Sequence, residues 1–290
     1  NVPIGTPGPT NSRRSLTTTG FVAEYSLNLN DSFGLGAAYR HDWNSGFRDA
    51  DTYRVSGSYR FDSGLRFHAA AGTGFKAPTN FELFGFDPGS FIGNPDLQPE
   101  LSKGWEVGLQ HDFTNGITFG AVYFKNLFEN EIFTDFAAPS FVASLDNRTV
   151  DSKQQGIEIF ASVDLDNGFR FDGSYTYLDA RENGVEEIRR APHIASGTIS
   201  WRGADSKFGA FLSVRYNGRQ MDTQFLPDFP FSAPVTLPSF TLVNFGADWS
   251  LNDHIQIFGR AENLFDQQYE ELFSYRSPGR AFYFGIRGNV

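Results

Sequence analysis

The sequence predicts an all-β fold, an antiparallel up-and-down β-barrel of the transmembrane kind. Three observations lead to this prediction. Apolar and polar residues alternate in runs of about ten residues along most of the chain. The connections between these runs are alternately short polar turns and long loops, as in barrels that cross an outer membrane. The chain also lacks any run of about 20 apolar residues that would form a transmembrane helix.

Composition is consistent with a barrel, although it fits a soluble β-rich domain as well. Of the 290 residues, 40% are hydrophobic and 20% are charged. A barrel wall needs only every second residue to be apolar, so a membrane barrel does not require a more hydrophobic average. The net charge of −10 argues against nucleic acid as a partner. The chain has no cysteine, which excludes disulfides and thiolate metal sites.

Alternation predicts about thirteen strands. They cover residues 21–29, 33–40, 53–61, 65–72, 105–110, 117–123, 157–165, 169–177, 194–201, 208–216, 243–251, 255–262 and 282–287. Six short turns join them in pairs, centred on Asp31, Ser63, Asn115, Asn167, Asp205 and Asp253. A single helical turn is predicted at residues 79–84.

The pairing of strands by short turns predicts that more of the barrel lies upstream. Six hairpins leave the last strand alone, so the chain would end on the short-turn side and begin on the long-loop side. Single-chain bacterial barrels have an even number of strands, with short turns on the periplasmic side. We therefore expect this chain to be the C-terminal portion of a larger barrel, with an odd number of strands before it.

Two motifs resemble the TonB-dependent outer-membrane receptors. The first lies between residues 72 and 106 and consists of Phe75, Lys76, Ala77, Pro78, Glu82, Leu83, Gly93, Asn94, Pro95, Leu97, Pro99, Glu100, Ser102 and Glu106. The second resembles the closing signature of the same family and consists of Asn263, Leu264, Phe265, Asp266, Tyr269, Pro278, Gly279 and Arg280. Within the family, the spacing is most similar to the vitamin B12 receptor branch, through residues 175–181 and 189–192.

The resemblance implies a 22-stranded barrel in the bacterial outer membrane, occluded by an N-terminal plug. Neither the plug nor a TonB box lies within these 290 residues. The implied function is TonB-dependent uptake of a scarce nutrient such as cobalamin or a ferric siderophore. The implied partners are that nutrient, TonB through an upstream region, and outer-membrane lipid and lipopolysaccharide. The alternatives are a self-standing barrel of 12–14 strands, acting as a diffusion channel or autotransporter translocator, and a soluble β-protein.

Long loops rich in phenylalanine are the candidates for ligand contact. They cover residues 76–101, 126–150 and 220–239, and the candidate side chains are Phe81, Phe84, Phe86, Phe91, Phe133, Phe136, Phe225 and Phe229. The alternative is that these loops pack on themselves. Acidic residues in the last two loops raise a second alternative, a divalent cation held by carboxylate oxygens.

Arginines in the middle of the polar strand faces are candidates for charges on the lumen wall. They are Arg40, Arg54, Arg60, Arg66, Arg170, Arg215 and Arg260. These side chains would steer anions or contact a plug, or they would pair with acids of the same wall. The acids expected as partners include Glu24, Glu106, Glu158, Asp172, Asp248 and Glu262.

Enzymatic activity is not predicted. The five histidines form no metal-binding spacing such as HExxH, and no GxSxG nucleophile elbow occurs. Accordingly, no metal site or cofactor is predicted. A serine–histidine pair on the outer face of a barrel, as in outer-membrane lipases, is the remaining alternative.

Overall fold

The computed structural model describes residues 14–30, 32–136, 142–228 and 232–288. Up to the middle of the chain, its elements are β1 (Thr18–Leu29), β2 (Phe33–Asn44), β3 (Ala50–Arg60), β4 (Leu65–Lys76), α1 (Asn80–Phe84), β5 (Phe86–Asp87), β6 (Phe91–Ile92), β7 (Glu100–Asp112), β8 (Ile117–Glu129), β9 (Ile132–Phe136), β10 (Ala143–Asn147) and β11 (Ser152–Asp164). They continue with β12 (Phe169–Glu182), β13 (Val185–Glu186), β14 (His193–Arg202), β15 (Phe208–Asn217), β16 (Gln220–Phe225), β17 (Ser232–Leu237), β18 (Phe240–Ser250), β19 (Ile255–Glu262), β20 (Glu270–Leu272), β21 (Tyr275–Arg276) and β22 (Ala281–Gly288).

Thirteen long strands form one antiparallel sheet, which confirms the predicted number and the fold class. Their hydrogen-bonded order is β1-β2-β3-β4-β7-β8-β11-β12-β14-β15-β18-β19-β22, so each long strand lies beside the next long strand along the chain. Each predicted strand overlaps an observed one, but most observed strands are longer at their long-loop ends, as in β8 and β12, which extend six and five residues beyond the predicted bounds. At the short-turn ends, Phe61, Leu165 and Leu251 each lie one residue beyond their strand. The helical turn is also confirmed, as α1.

The short turns form where they are predicted, because their residues tolerate the required backbone; Asp31, the centre of the first turn, lies outside the described residues. Positive φ angles of 56°, 87°, 79°, 84° and 57° occur at Asn30, Gly64, Gly116, Gly168 and Ser206. Glycine and asparagine adopt this left-handed region at low cost. The sixth turn uses a side chain instead, since Asn252 Oδ1 accepts hydrogen bonds from the N–H groups of His254 and Ile255, both at 2.9 Å.

One face of the sheet exposes large apolar side chains. Tyr25, Trp105 and Trp249 belong to the alternating apolar positions and are 63%, 46% and 51% exposed. Aromatic side chains exposed on this scale indicate a surface that contacts something other than water. No helix in the described part of the chain is both long and apolar enough to span a membrane.

The chain divides into two compact units. The first contains the described residues of 1–59, 68–106 and 125–154, and the second those of 60–67, 107–124 and 155–290. Each unit has its own long loops, and these loops contain short strands that the alternation pattern did not predict. The loops of the first unit hold the four-stranded sheet β5-β6-β10-β9, and those of the second hold the hairpins β16–β17 and β20–β21.

Candidate functional site

In the first unit, two of the predicted phenylalanine-rich loops join in one small sheet. Strand β6 pairs with β5 of its own loop and, in parallel, with β10 of the next loop, where Ala143 lies opposite Phe91. Strand β10 then pairs antiparallel with β9. We call β5, β6, β9 and β10 the loop sheet. It brings together Phe86, Phe91, Phe133 and Phe136, which belong to loops far apart in the sequence.

Helix α1 positions the exposed ring of Phe81 beside this sheet. A capping box starts the helix. Thr79 Oγ1 accepts from the Glu82 N–H at 3.2 Å, and Glu82 Oε2 accepts from the Thr79 N–H at 2.6 Å. Leu83 anchors the helix because its side chain is buried. Phe81 points the other way and stacks on Phe91 with ring centroids 4.6 Å apart.

Residues of the first family motif hold this loop folded. A Cβ atom at Gly93 would lie 2.8 Å from backbone atoms of Leu83, Phe84 and Gly85, so only glycine allows this close approach. The side chain of Asn94 donates to Leu145 O at 2.9 Å, across to strand β10. The side chain of Leu97 is buried. For these motif residues, the alternative of a self-packed loop therefore fits the structure better than ligand contact.

Asn147 fastens the two loops of the first unit to each other. Its Nδ2 donates to Gln98 O at 2.9 Å and to Asn130 O at 2.7 Å, and its Oδ1 accepts from the Gln98 N–H at 2.7 Å. Glu100 adds a second link, because its Oε1 accepts from Lys76 Nζ at 2.8 Å and from the Ile132 N–H at 3.0 Å. Sequence reasoning missed Asn147, and nothing in its local pattern distinguishes it.

Aromatic rings and guanidinium groups together form the exposed surface of these loops. Phe81 and Phe136 are 60% and 57% exposed, whereas Phe84, Phe86, Phe91 and Phe133 are half-buried. Arg14 lies over the Phe84 ring at 4.8 Å, and Arg148 lies over the Phe133 ring at 4.6 Å. Such cation–π contacts keep positive charge beside the rings. Neither arginine was among the predicted residues.

In the second unit, the buried carboxylate of Asp222 ties three loop segments together. It accepts hydrogen bonds from the Phe273 N–H at 2.7 Å, the Thr223 N–H at 2.8 Å and Arg189 Nε at 2.9 Å. Burial alone would raise the pKa of Asp222, but the two backbone donors and the guanidinium outweigh it and hold that pKa below its usual range. Phe225, at the end of this hairpin strand, is 78% exposed. Phe229 lies outside the described residues.

The residues of the second family motif shape the loop that precedes the last strand, β22. The buried side chain of Asn263 donates to Gln267 O at 2.9 Å and accepts from the Gln267 N–H at 2.8 Å. Asp266 Oδ1 accepts from the Arg280 N–H at 2.8 Å. The Tyr269 ring packs against Phe240, with centroids 4.5 Å apart. This motif also serves to fix a loop.

Most of the predicted wall arginines are paired with acids, as one interpretation of the sequence predicts. Arg40 makes two hydrogen bonds of 2.6 Å with the buried Asp42. Arg170 pairs with Asp172 at 2.8 Å and with Asp164 at 2.6 Å. The other pairs are Arg60–Asp112, Arg215–Glu271 and Arg260–Glu262. Within the described residues, Arg54 and Arg66 make no ion pair.

Only some of the acidic partners are the predicted ones. Asp172 and Glu262 pair with wall arginines as expected, whereas Asp248 pairs with Arg202 at 2.7 Å. Three of these pairs join residues two apart on one strand: Arg40 with Asp42, Arg170 with Asp172, and Arg260 with Glu262. Residues two apart share a face of the sheet, so this spacing was a signal in the sequence. Both partners are about half exposed in Arg170–Asp172 and in Arg260–Glu262, so each of these two pairs contributes about 0–1 kcal/mol.

The acidic loop residues do not assemble a metal site in the described part of the chain. No group of three or more histidine, aspartate or glutamate residues there is arranged to hold a metal ion. Asp222, one of the acids behind the cation alternative, is instead occupied by its three hydrogen-bond donors.

Comparison with known proteins decides the family. Residues 1–264 match the family described as TonB dependent receptor-like, beta-barrel. This chain belongs to that family. The family consists of bacterial outer-membrane receptors and transporters, so the predicted outer-membrane location is confirmed, and it is not an enzyme family. Membership disfavours the soluble β-protein, the self-standing channel and the autotransporter.

Solved TonB-dependent receptors share the fold. The ferric enterobactin receptor PfeA of Pseudomonas aeruginosa, solved with enterobactin, matches with a TM-score of 0.80 and 17% identity over 94% of this chain and 45% of that one. The siderophore receptor PirA of Acinetobacter baumannii matches with a TM-score of 0.79 and 17% identity over 94% and 46%. The copper transporter OprC matches with a TM-score of 0.77 and 14% identity over 94% and 47%. The chain thus spans about half the length of these proteins.

Proposed function

We propose that this chain is the part of a TonB-dependent transporter that captures a ferric siderophore at the cell surface and lines its route across the outer membrane. The observation that carries the proposal is the exposed surface of the loop sheet. There, the stacked rings of Phe81 and Phe91 and the ring of Phe136 lie in the same unit as the guanidinium groups of Arg14 and Arg148. Rings and cations together suit a ligand that is both aromatic and anionic, as ferric catecholates are.

Two relatives support a siderophore as the cargo. PirA is a siderophore receptor, and PfeA was solved with enterobactin. Their low identity to this chain leaves the cargo to be decided by its own residues. Cobalamin is the second candidate, because residues 175–181 and 189–192 resemble the vitamin B12 branch. In the structure, Arg181 pairs with Asp179 and Arg189 with Asp222, so these arginines stabilise loops of the second unit.

Transport across the membrane would depend on the strands and on parts of the transporter outside this chain. Most of the wall arginines are held by acidic partners, so the polar face of the strands offers a hydrated surface on which most of the positive charge is paired. The described part of the chain contributes thirteen long strands, an odd number, whereas single-chain bacterial barrels have an even number. We therefore propose that the transporter includes further strands, a plug and a TonB box outside these 290 residues.

Binding by purified protein tests the proposal. Isothermal titration of the complete transporter in detergent with ferric enterobactin and with cyanocobalamin compares the two cargo classes directly. We expect the ferric catecholate to bind and the double variant Phe81→Ala/Phe136→Ala to bind it roughly 10- to 100-fold more weakly, as loss of two aromatic contacts predicts. The matched control is Phe113→Ala, which removes an exposed ring beside a short turn. Binding of cobalamin alone, or equal affinity in the double variant, would overturn the siderophore assignment.

A further inference from the structure

A shallow groove of about 280 Å³ lies on the apolar face of the sheet in the first unit. Side chains of four neighbouring strands line it, among them Tyr53, Thr73, Trp105, Lys125 and Leu127. These residues belong to the positions that alternate towards the exposed apolar face, not to the polar wall. A groove on this face therefore opens towards membrane lipid.

Small residues on β4 create the groove. Ala71 and Thr73 are the outward residues near the loop end of that strand, while the flanking strands carry Tyr53 and Trp105. The two aromatic side chains are 55% and 46% exposed and lie on either side of the small residues. The result is an apolar trough of a width set by one strand, a shape that suits a hydrocarbon chain lying along the protein surface.

The groove lies at the level of the outer leaflet. Barrel strands tilt by roughly 40° and rise about 2.5 Å per residue along the membrane normal. Strand β7 runs from Glu100 on the loop side to Asp112 beside a short turn. Lys103 therefore stands roughly 20–25 Å above Asp112, near the upper edge of an apolar band that is about 25 Å tall. Trp105 occupies the aromatic girdle expected at that level.

Strand register places two lysines together beside the groove. The Phe113 N–H donates to Ile117 O at 2.8 Å, a register that sets Lys125 of β8 opposite Trp105 of β7. The Asp164 N–H donates to Gly116 O at 3.0 Å, a register that sets Lys153 of β11 diagonal to Lys125. Diagonal neighbours on one face lie about 7–8 Å apart, so both ammonium groups can reach one anion.

Of the three lysines beside the groove, one is already paired with an acid. Lys103 pairs with Glu129 at 2.7 Å, and Asp151 also acts electrostatically on Lys103. Lys125 and Lys153 are both exposed and, among the described residues, form no ion pair. Two such cations on a lipid-facing surface at headgroup level favour an anionic partner from the membrane.

We propose that this groove binds one molecule of lipopolysaccharide from the outer leaflet. A phosphate of its headgroup lies between Lys125 and Lys153, and an acyl chain follows Ala71 and Thr73 between Tyr53 and Trp105. The proposal rests on the outer-membrane location and is independent of the cargo. Because the groove is on the lipid face, losing it would leave siderophore binding by the external loops unchanged.

Lipopolysaccharide retained by the purified protein provides the test. The protein is extracted from outer membranes in mild detergent, and bound lipid is counted by native mass spectrometry. We expect one retained molecule in the wild type and its loss in Lys125→Ala/Lys153→Ala, with roughly 20- to 30-fold lower affinity when purified lipopolysaccharide is titrated back. The matched control is Lys207→Ala, which removes an exposed lysine beside a short turn.

Two further variants and one altered lipid test the same site. Lys125→Arg/Lys153→Arg should retain the lipid, and dephosphorylated lipopolysaccharide should bind the wild type as weakly as the alanine variant binds the native lipid. Ala71→Phe fills the trough while leaving both lysines, and it should also lower retention. Equal retention by the wild type and the alanine variant, or exchange of the lipid for a zwitterionic phospholipid at equal affinity, would overturn the proposal. Titration of the same samples with the ferric siderophore shows whether the lipid site alone is absent or whether the proposed siderophore binding fails as well.

Discussion

Asp222 shows how a single residue organises the loops of the second unit. Its side chain has no exposed surface, yet it remains ionised because two backbone N–H groups and Arg189 donate to it. A buried carboxylate with three donors is expensive to alter, since any replacement leaves donors without an acceptor. This acid was predicted only as one of several loop acids, because the sequence does not show which distant N–H groups will meet it.

Asp222→Asn should loosen the loop that contains Arg189. Loss of charge-assisted hydrogen bonds is expected to cost about 2 kcal/mol, which raises the population of the open loop roughly 30-fold. The measurement is the rate of trypsin cleavage after Arg189 and Arg190. The exposed Asp228→Asn is the matched control and should leave cleavage unchanged. Equal protection in the two variants would show that Asp222 does not hold this loop.

Acid should open the same loop in the unaltered protein. The pKa of Asp222 is lowered in the folded state from an ordinary value of 3.8. Its contribution is therefore complete above pH 3.8 and is lost as the pH falls through the lower, folded-state pKa. Hydrogen exchange of the Phe273 and Thr223 amides, followed from neutral to acidic pH, should show protection that disappears only below this point. Loss of protection between pH 5 and 7 would contradict the assignment.

Substitution of Gly93 tests whether the first family motif stabilises the folded loop. An added methyl group would press on three backbone atoms at 2.8 Å, so Gly93→Ala should destabilise the loop by about 1–3 kcal/mol. Protease sensitivity of residues 77–99 measures this. In the control Gly173→Ala, the nearest atom is Ser196 O at an ordinary 3.8 Å. A loop that is equally resistant in both variants would indicate that Gly93 is kept for another reason.

At the scale of elements, sequence predicted the wall far better than the loops. Within the described residues, all thirteen long strands follow from alternation, and five of the six short turns have glycine, asparagine or serine at a position of positive φ. Strands such as β5 and β6 contain two residues each, too few for a period to show. Strand β6 also pairs with β10 of a loop about 50 residues away, so this pairing depends on tertiary contacts that local patterns do not encode.

Asn147 should hold the loop sheet together. Asn147→Ala removes two hydrogen bonds to Gln98 that join the two loops and one to Asn130 within its own loop, and should cost roughly 1–3 kcal/mol. Hydrogen–deuterium exchange should then accelerate in β6 and β9 together. Ser144→Ala, in the same strand β10, alters no described side-chain hydrogen bond and serves as the control. Faster exchange in only one of the two loops would show that they fold independently.

At the scale of the whole molecule, the sequence indicated the membrane, the family and the outward-facing loops, but not the cargo. Alternation and turn length indicate the membrane location, and the two motifs indicate the family. The motif residues that identify the family, such as Gly93, Asn94 and Asn263, fix loops that any member needs. In the proposed function, cargo depends on exposed side chains such as Phe81 and Phe136, which are not part of a buried core. A family signature therefore predicts architecture and leaves specificity open.

Uptake by cells tests the central claim, that these loops capture a ferric siderophore for TonB-dependent import. The measurement is accumulation of radioactive iron, supplied as the ferric catecholate, in cells whose only receptor for it is the complete transporter. We expect accumulation in cells with TonB, none in cells without it, and a reduction of about tenfold or more in Phe81→Ala/Phe136→Ala, in line with the loss of aromatic contacts. Accumulation that is equal with and without TonB, or that is unchanged in the double variant, would contradict the account.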